Sequence, residues 1–443
     1  MYKKGILILA AGRGTRLNTA MPKPLVNFAG KSFLNHILDA LPKANTHVVI
    51  SPNNYAAFKS QFPSTRFIMQ KTALGTGDAV KAAIAALSEC DSTIVLCADM
   101  PLIPKNLIQE LFNLSPGNRV VGFKPSDLSQ YGLIETTGKH ITKILEPPFH
   151  HQTKSTIANS GIIEISKNTL PQVCNISPCK ISKEFYLTQL IQPQHLFSLF
   201  HYKGDATHLT GINTPTQLAE LEEIHLKHLQ EQLSLIAHVE QINAVYLNRM
   251  PKIGKNVKIG RHVHFYGEVT IGDYSVVATG SIITDSKIGQ NVHIKPYSII
   301  SHSVIEDDVI LGPFCQVQQN SKIQQHSIVG NFVEITRSQL GNNTKAKHLC
   351  YIGDSIISHH VNIGAGAITC NYDPIRRKKF QTIIGSYCQI GANVSLIAPI
   401  QIQDHTIIGA GTVLCKDTKS YQIVYTHRMI KTKPQAQILT DDY

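Results

Sequence analysis

The stretch Ile253–Ile283, IGKNVKIGRHVHFYGEVTIGDYSVVATGSII, places a large apolar residue at every sixth position: Ile253, Ile259, Phe265, Ile271, Val277 and Ile283. The same spacing returns at Ile305, Leu311, Val317, Ile323, Val329 and Ile335, and a third time at Ile384, Ile390, Leu396, Ile402, Ile408 and Leu414. A six-residue repeat predicts a parallel β-helix, in which each coil stacks its aliphatic side chains on the next to build one continuous core. Glycine often follows the repeated aliphatic, as at Gly254, Gly260, Gly272 and Gly330.

One segment breaks the phase, CNYDPIRRKKFQT from Cys370 to Thr382. A polar, basic insertion must leave the solenoid, and such excursions commonly build the binding face of a repeat protein. On composition alone a solvated loop is an equal alternative.

Before Pro251 the pattern differs. Apolar strands at Gly5–Leu9, 47–50 and 93–98 alternate with helical patterns such as GDAVKAAIAAL, which is the signature of an α/β sheet. Thr214-Pro215 reads as an N-cap and first-turn proline opening a helix with leucines at 218, 221, 229 and 233. The expected organisation is therefore an α/β domain over 1–213, a helical linker over 214–250 and a β-helix over 251–443.

In GILILAAGRGTRLNTAMPKPL (Gly5–Leu25) a buried strand runs into a glycine-rich turn followed by Arg16 and Lys23. Backbone N–H groups in such a turn suit phosphate. A dinucleotide-binding turn needs a third glycine where this chain has Arg16-Leu17, and no Gly-Lys-Ser/Thr follows to make a P-loop.

The whole chain narrows the function further. Its 443 residues exceed the usual span of a single core, and its net charge of +12 favours anionic ligands. The basic residues are dispersed rather than gathered in a stripe with aromatics, so phosphorylated small molecules are expected before nucleic acid. Nine cysteines without a C-x-x-C pair argue against a disulfide framework or structural zinc. No run approaches the ~18 apolar residues of a membrane span, and a cytoplasmic protein with no membrane insertion is expected.

Taken together, LAAGRGTRL with PKPL, LGTGDA, Asp99 before Pro101-Leu102, GNFVE, KHLCYIGD and VNIGAGAITCNYD resemble one family along nearly the full chain. It is the bifunctional N-acetylglucosamine-1-phosphate uridylyltransferase and glucosamine-1-phosphate N-acetyltransferase family. The opening motif marks sugar nucleotidyltransferases in general, whereas NIGAGAITCNYD is much more specific. The resemblance implies a Rossmann-like mixed sheet followed by a left-handed parallel β-helix, a homotrimer, and UTP, phosphosugars, acetyl-CoA and Mg²⁺ as ligands.

Carried over by motif, Leu9, Ala10, Ala11 and Gly12 with Gln70, Gly75 and Thr76 would hold the uridine. Arg16 and Lys23 would neutralise charge on the α-phosphate, and Asp99 and Asn213 would hold Mg²⁺. Gly132, Glu146 and Asn159 would receive the amino sugar. In the β-helix the resemblance implies His348 as general base, with an imidazole suited to proton transfer near neutral pH. Tyr351, Asn362, Asn371 and Tyr372 would place the sugar, Ala365 would meet the acetyl group, and Ala410 with Arg428 would lie along coenzyme A.

Several positions depart from the family. Cys97-Ala98-Asp99 stands for Tyr-Gly-Asp, and Leu133 for an arginine. Val317-Gln318-Gln319-Asn320 stands for Leu-Arg-Pro-Gly, Thr336 for a lysine and Ala392 for a serine. Two phosphate-gripping cations are thus missing. Arg337 adjoins Thr336, yet in a regular strand it would face the other way. The basic run Arg376–Lys379 is a second candidate source of charge. Beside full bifunctionality, two readings stay open: a uridylyltransferase whose β-helix is a weak or differently selective acyltransferase, and a noncatalytic paralogue.

Overall fold

The computed structural model describes residues 2–12, 14–147, 152–180 and 182–426. The chain divides into two compact units, 1–224 and 225–443. The division falls inside the helix Pro215–Ser234, which the sequence reading assigned to a linker.

In the first unit a nine-stranded mixed sheet runs in the order Arg66–Met69, Asn45–Ile50, Lys4–Leu9, Ser92–Cys97, Ala158–Ser166, Arg119–Phe123, Ser198–His201, His140–Leu145, Leu133–Thr137. The first four are mutually parallel, and Ala158–Ser166 runs against Ser92–Cys97. Alternation along the first strand decides the layering. Ile6 and Ile8 pack with Leu34 and Ile37 of the helix Phe33–Ala40, while Leu7 packs with Val80 and Ala83 of the helix Thr76–Leu87. Helices therefore cover both faces, and the carboxyl ends of the parallel strands are left to the loops.

One ion cluster lies inside this unit. Glu164 accepts from Lys4 Nζ at 2.7 Å, from the Ser92 hydroxyl at 2.7 Å, and from the Arg119 guanidinium at 2.5 Å. The Lys4 and Glu164 side chains are each 1% exposed.

The helix Pro215–Ser234 opens with a reciprocal cap. Thr214 Oγ1 accepts from the Gln217 N–H at 3.2 Å, and Gln217 Oε1 accepts from the Thr214 N–H at 3.1 Å and the Asn213 N–H at 2.7 Å. This is the Thr-x-x-Gln form of the capping box, and it fixes the backbone at Asn213.

The second unit is built from three parallel sheets of 11, 10 and 9 strands, the arrangement of a parallel β-helix. Strands are two to four residues long, and each pairs with its equivalent in the next coil, as Val317 with Ile335 and Ile335 with Ile352. The six-residue positions form its interior: Ile259, Phe265, Ile283, Val317, Val329 and Ile335 are all nearly inaccessible. Corners take left-handed backbone at residues such as Asn256, Tyr274, Asp308 and His326. The glycines after the aliphatics have a different cause, since a Cβ on Gly260 would lie 2.6 Å from the Thr279 nitrogen and one on Gly330 would lie 2.0 Å from the Lys347 carbonyl oxygen. They let successive coils approach.

The out-of-phase segment leaves the stack as a hairpin, with Tyr372–Asp373 antiparallel to Lys378–Lys379. The stack then resumes, Ser355–Ile357 pairing directly with Thr382–Ile384. Among the described residues no helix is long and apolar enough to cross a membrane.

Candidate functional sites

The strands Lys4–Leu9 and Ser92–Cys97 end side by side, Leu9 opposite Cys97, and the Ala98 N–H donates to the Leu9 carbonyl at 3.0 Å. Their following loops therefore emerge together. They border a cleft of about 670 Å³ lined by Leu9, Ala10, Ala11, Gly12, Arg16, Lys23, Gln70, Gly75, Thr76, Asp99 and Asn213. Every residue expected to hold uridine, phosphate or metal is thus on one surface.

The charged groups of this cleft contact one another. Lys23 Nζ lies 2.8 Å from Asp99 Oδ2 and 2.9 Å from Asn213 Oδ1, and Arg16 Nη2 donates to the same Asn213 oxygen at 3.1 Å. Two hard oxygen donors converge on a single positive centre, so the donor set suits a small divalent cation that takes its remaining ligands from phosphate and water. Gly75 turns at φ +107°, and a Cβ there would stand 2.7 Å from the Phe185 carbonyl oxygen. Only glycine fits. The Gln70 amide nitrogen is engaged with the Asp78 carboxylate at 2.8 Å and the Gly75 carbonyl at 3.2 Å, which holds this loop against the helix that follows.

Gly132, Glu146 and Asn159 form an adjoining group. The Asn159 N–H donates to the Gly132 carbonyl at 2.8 Å, and a Cβ on Gly132 would lie 2.8 Å from Glu146 Oε2. Burial holds the Glu146 carboxyl above its ordinary value, opposed by a 3.0 Å hydrogen bond from the Thr188 hydroxyl. Glu146 borders a smaller cavity of about 280 Å³ that shares Ser182 and Tyr186 with the main cleft. Cys97 lines the main cleft, where burial pushes its thiol up to about 12 and away from thiolate chemistry.

In the β-helix His348 closes the strand Lys345–His348 at an exposed corner. Its Nδ1 lies 2.8 Å from Asn331 Oδ1, its partner in the preceding coil. An amide oxygen only accepts, so Nδ1 carries the hydrogen, and in the neutral imidazole Nε2 is the nitrogen with the lone pair. Sequence reasoning missed Asn331. The signal was present, because Asn331 precedes His348 by 17 residues, the offset at which neighbouring coils pair.

Successive coils extend this edge. The Gly366 N–H donates to the His348 carbonyl at 3.3 Å, that of Asn393 to Ala365 at 2.8 Å, and that of Gly411 to Ala392 at 2.7 Å. Ala365, Ala392 and Ala410 therefore stand beside a continuous backbone column leading away from His348. Asn362 is exposed on the strand that pairs with Lys345–Ala346. Arg428 lies outside the described residues.

Round the coil from His348, Tyr351 begins the strand Tyr351–Gly353 and Asp354 turns the next corner. Asn371 is buried with its amide nitrogen on Asp354 and 3.5 Å from the Tyr351 hydroxyl, whereas Tyr372 is half exposed on the hairpin. The two neutral replacements are engaged locally. Gln318 donates to Glu334 at 3.2 Å, and the Thr336 hydroxyl lies 3.2 Å from Gln319 Oε1.

The expectation for Arg337 needs correction. The strand ends at Thr336, and Arg337 occupies a corner with φ +50°, so alternation along a strand does not govern its direction. Its Nη1 lies 3.0 Å from Thr336 Oγ1, while Nε and Nη2 reach Asp354 at 2.7 and 2.9 Å.

Comparison with known proteins places both units in known families. Residues 6–146 match the MobA-like NTP transferase domain, and 250–285, 302–337 and 381–416 match the bacterial transferase hexapeptide repeat. The chain is 34% identical over 449 residues to the bifunctional protein GlmU of Baumannia cicadellinicola, covering 95% of this chain and 94% of that protein. It is 37% identical over 440 residues to the GlmU of Buchnera aphidicola, covering 96% and 97%, and 34% identical over 435 residues to that of Ruthia magnifica, covering 94% of each. With that identity sustained across both units, the chain belongs to the family of bifunctional GlmU proteins.

Proposed function

We propose that the second unit transfers the acetyl group of acetyl-CoA to glucosamine 1-phosphate, and that the first joins the product to UTP, releasing pyrophosphate and giving UDP-N-acetylglucosamine. The observation that carries the reading is the convergence of Arg16, Lys23, Asp99 and Asn213 on one cleft beneath a phosphate-suited turn.

In uridylyl transfer a phosphate oxygen of the sugar 1-phosphate attacks the α-phosphorus of UTP, and the bond to the β-phosphate breaks. Arg16 and Lys23 meet the charge that gathers on the α-phosphate, already positioned, with Lys23 partly shielded from water. Asp99 and Asn213 would hold Mg²⁺, which supplies Lewis-acid neutralisation of the triphosphate when bound. Ala10, Ala11 and Gly12 offer backbone groups to the nucleotide, and half-buried Glu146 faces the amino sugar.

In acetyl transfer His348 Nε2 takes a proton as the amine attacks the thioester carbonyl. The C–N bond forms, the C–S bond breaks, and the coenzyme A thiolate leaves and is protonated. Asn331 keeps the imidazole in the tautomer this step needs. The column past Ala365, Ala392 and Ala410 would accommodate coenzyme A. A homotrimer belongs to the same reading, supported by the exposed stacked rings of Tyr297, Phe314 and Phe332, whose centroids are 5.4 Å apart.

A paired assay tests this reading: acetyl transfer to glucosamine 1-phosphate, and pyrophosphate release from UTP with N-acetylglucosamine 1-phosphate. Each activity is expected, the first lost in His348→Ala and the second in Asp99→Ala. Pyrophosphate release alone would instead favour a β-helix with another acceptor.

A further inference from the structure

The neutral side chains of Gln318 and Thr336 leave open what meets the phosphate of the acetyl acceptor. A phosphate dianion removed from water needs charged hydrogen bonds to replace its hydration. Two cations come to the corner formed by Asp354 and Asn371. One is Arg337, whose guanidinium touches Thr336 and Asp354. The other is Lys379, placed opposite Tyr372 in the hairpin and close enough for its charge to act on the Asp354 carboxylate. Two other basic residues of the hairpin are engaged elsewhere. Arg376 lies 3.8 Å from Asp373 and 5.7 Å from the Phe380 ring, and Lys378 lies 5.6 Å from that ring.

We propose that Arg337, flanked by Lys379, anchors the acceptor's phosphate and thereby selects a phosphorylated amino sugar over the free one. The inference rests on the reading of this unit as an acetyltransferase.

Asp354 grips the guanidinium through Nε and Nη2, which fixes its plane and leaves Nη1 turned to the neutral oxygens of Thr336 and Gln319. A phosphate oxygen is the stronger acceptor and displaces them. The Arg337 hydrogen bonds to Asp354, helped by Asn371 and Lys379, hold that carboxyl below its ordinary value, so the clamp is charged at working pH. The placement also suits the reaction. Strand Tyr351–Gly353 separates the His348 corner from the Asp354 corner by about 10 Å, a span that a hexosamine phosphate and two side chains bridge.

The test compares glucosamine 1-phosphate with glucosamine as acceptors for the full chain. Arg337→Ala is expected to raise KM for the phosphorylated acceptor by roughly ten- to a hundredfold, with kcat affected far less, so that the preference in kcat/KM for glucosamine 1-phosphate over glucosamine falls by a similar factor. Lys379→Ala should raise that KM less. Arg337→Lys retains part of the discrimination, and Thr336→Lys in the Arg337→Ala background restores it, which loss of folding alone would not permit. An unchanged KM in Arg337→Ala overturns the inference and leaves the acetyltransferase reading intact. Absence of acetyl transfer in the parent protein overturns that reading, and the inference with it.

Discussion

Lys23 Nζ bonds to Asp99 Oδ2 at 2.8 Å, so the cation proposed to meet the nucleotide and the carboxylate that suits a metal neutralise each other within one cleft. On the proposed function a divalent cation would compete with Lys23 for Asp99 until a triphosphate gave Lys23 a second anion. Lys23→Ala is expected to bind Mn²⁺ severalfold more tightly without nucleotide, by electron paramagnetic resonance, while losing about a hundredfold or more in uridylyl transfer. Weaker Mn²⁺ binding in this variant would show that Lys23 supports the metal position. Chelation should stop pyrophosphate release and spare acetyl transfer.

Asn331 is a positioning residue for His348, through a 2.8 Å bond to Nδ1. Asn331→Ala should lower kcat for acetyl transfer by about tenfold with little change in KM, because orientation and tautomer are lost while the acceptor's contacts remain. Asn331→Asp, which keeps an acceptor at that point, should recover activity and alter the pH profile. A rise in KM with kcat preserved would contradict this role.

Glu146 makes the first unit sensitive to pH. Burial raises its carboxyl above the ordinary 4.5, so the folded protein holds that proton more tightly than the unfolded chain. Its contribution to stability is complete below about 4.5 and is lost as pH rises through the folded value. Glu146→Gln should flatten the fall in melting temperature above that point and weaken binding of N-acetylglucosamine 1-phosphate. Identical melting profiles for parent and variant would refute the assignment.

The Lys4–Glu164 pair, each side chain 1% exposed, is an all-or-none element of the first core. Glu164→Leu strands two cations and should cost about 3–5 kcal/mol in denaturant unfolding. Adding Lys4→Met should recover much of it. If the double variant is no more stable than the single one, the buried charges are not the cause.

The β-helix was legible because its core positions recur: Leu311, Val317, Ile323 and Val329 are all fully buried. The cleft of the first unit was legible for a related reason, since Leu9 and Asp99 lie where parallel strands end. Less was readable where coil geometry replaces strand geometry. Asn331 meets His348 only once the coil length is known, and Arg337 escapes alternation because its backbone turns left-handed. Buried charge was invisible altogether, because nothing local distinguishes Lys4 from its exposed neighbour Lys3.

The β-helix closes up behind its hairpin. Leu340 and Ile357 partner at a separation of 17 residues, and Ile357 and Ile384 partner at 27, in the same sheet and without a gap. Ten additional residues have thus been inserted at no expense to the continuity of the stack. The appendage can therefore be lengthened, shortened or recharged while the architecture that carries it is inherited unchanged.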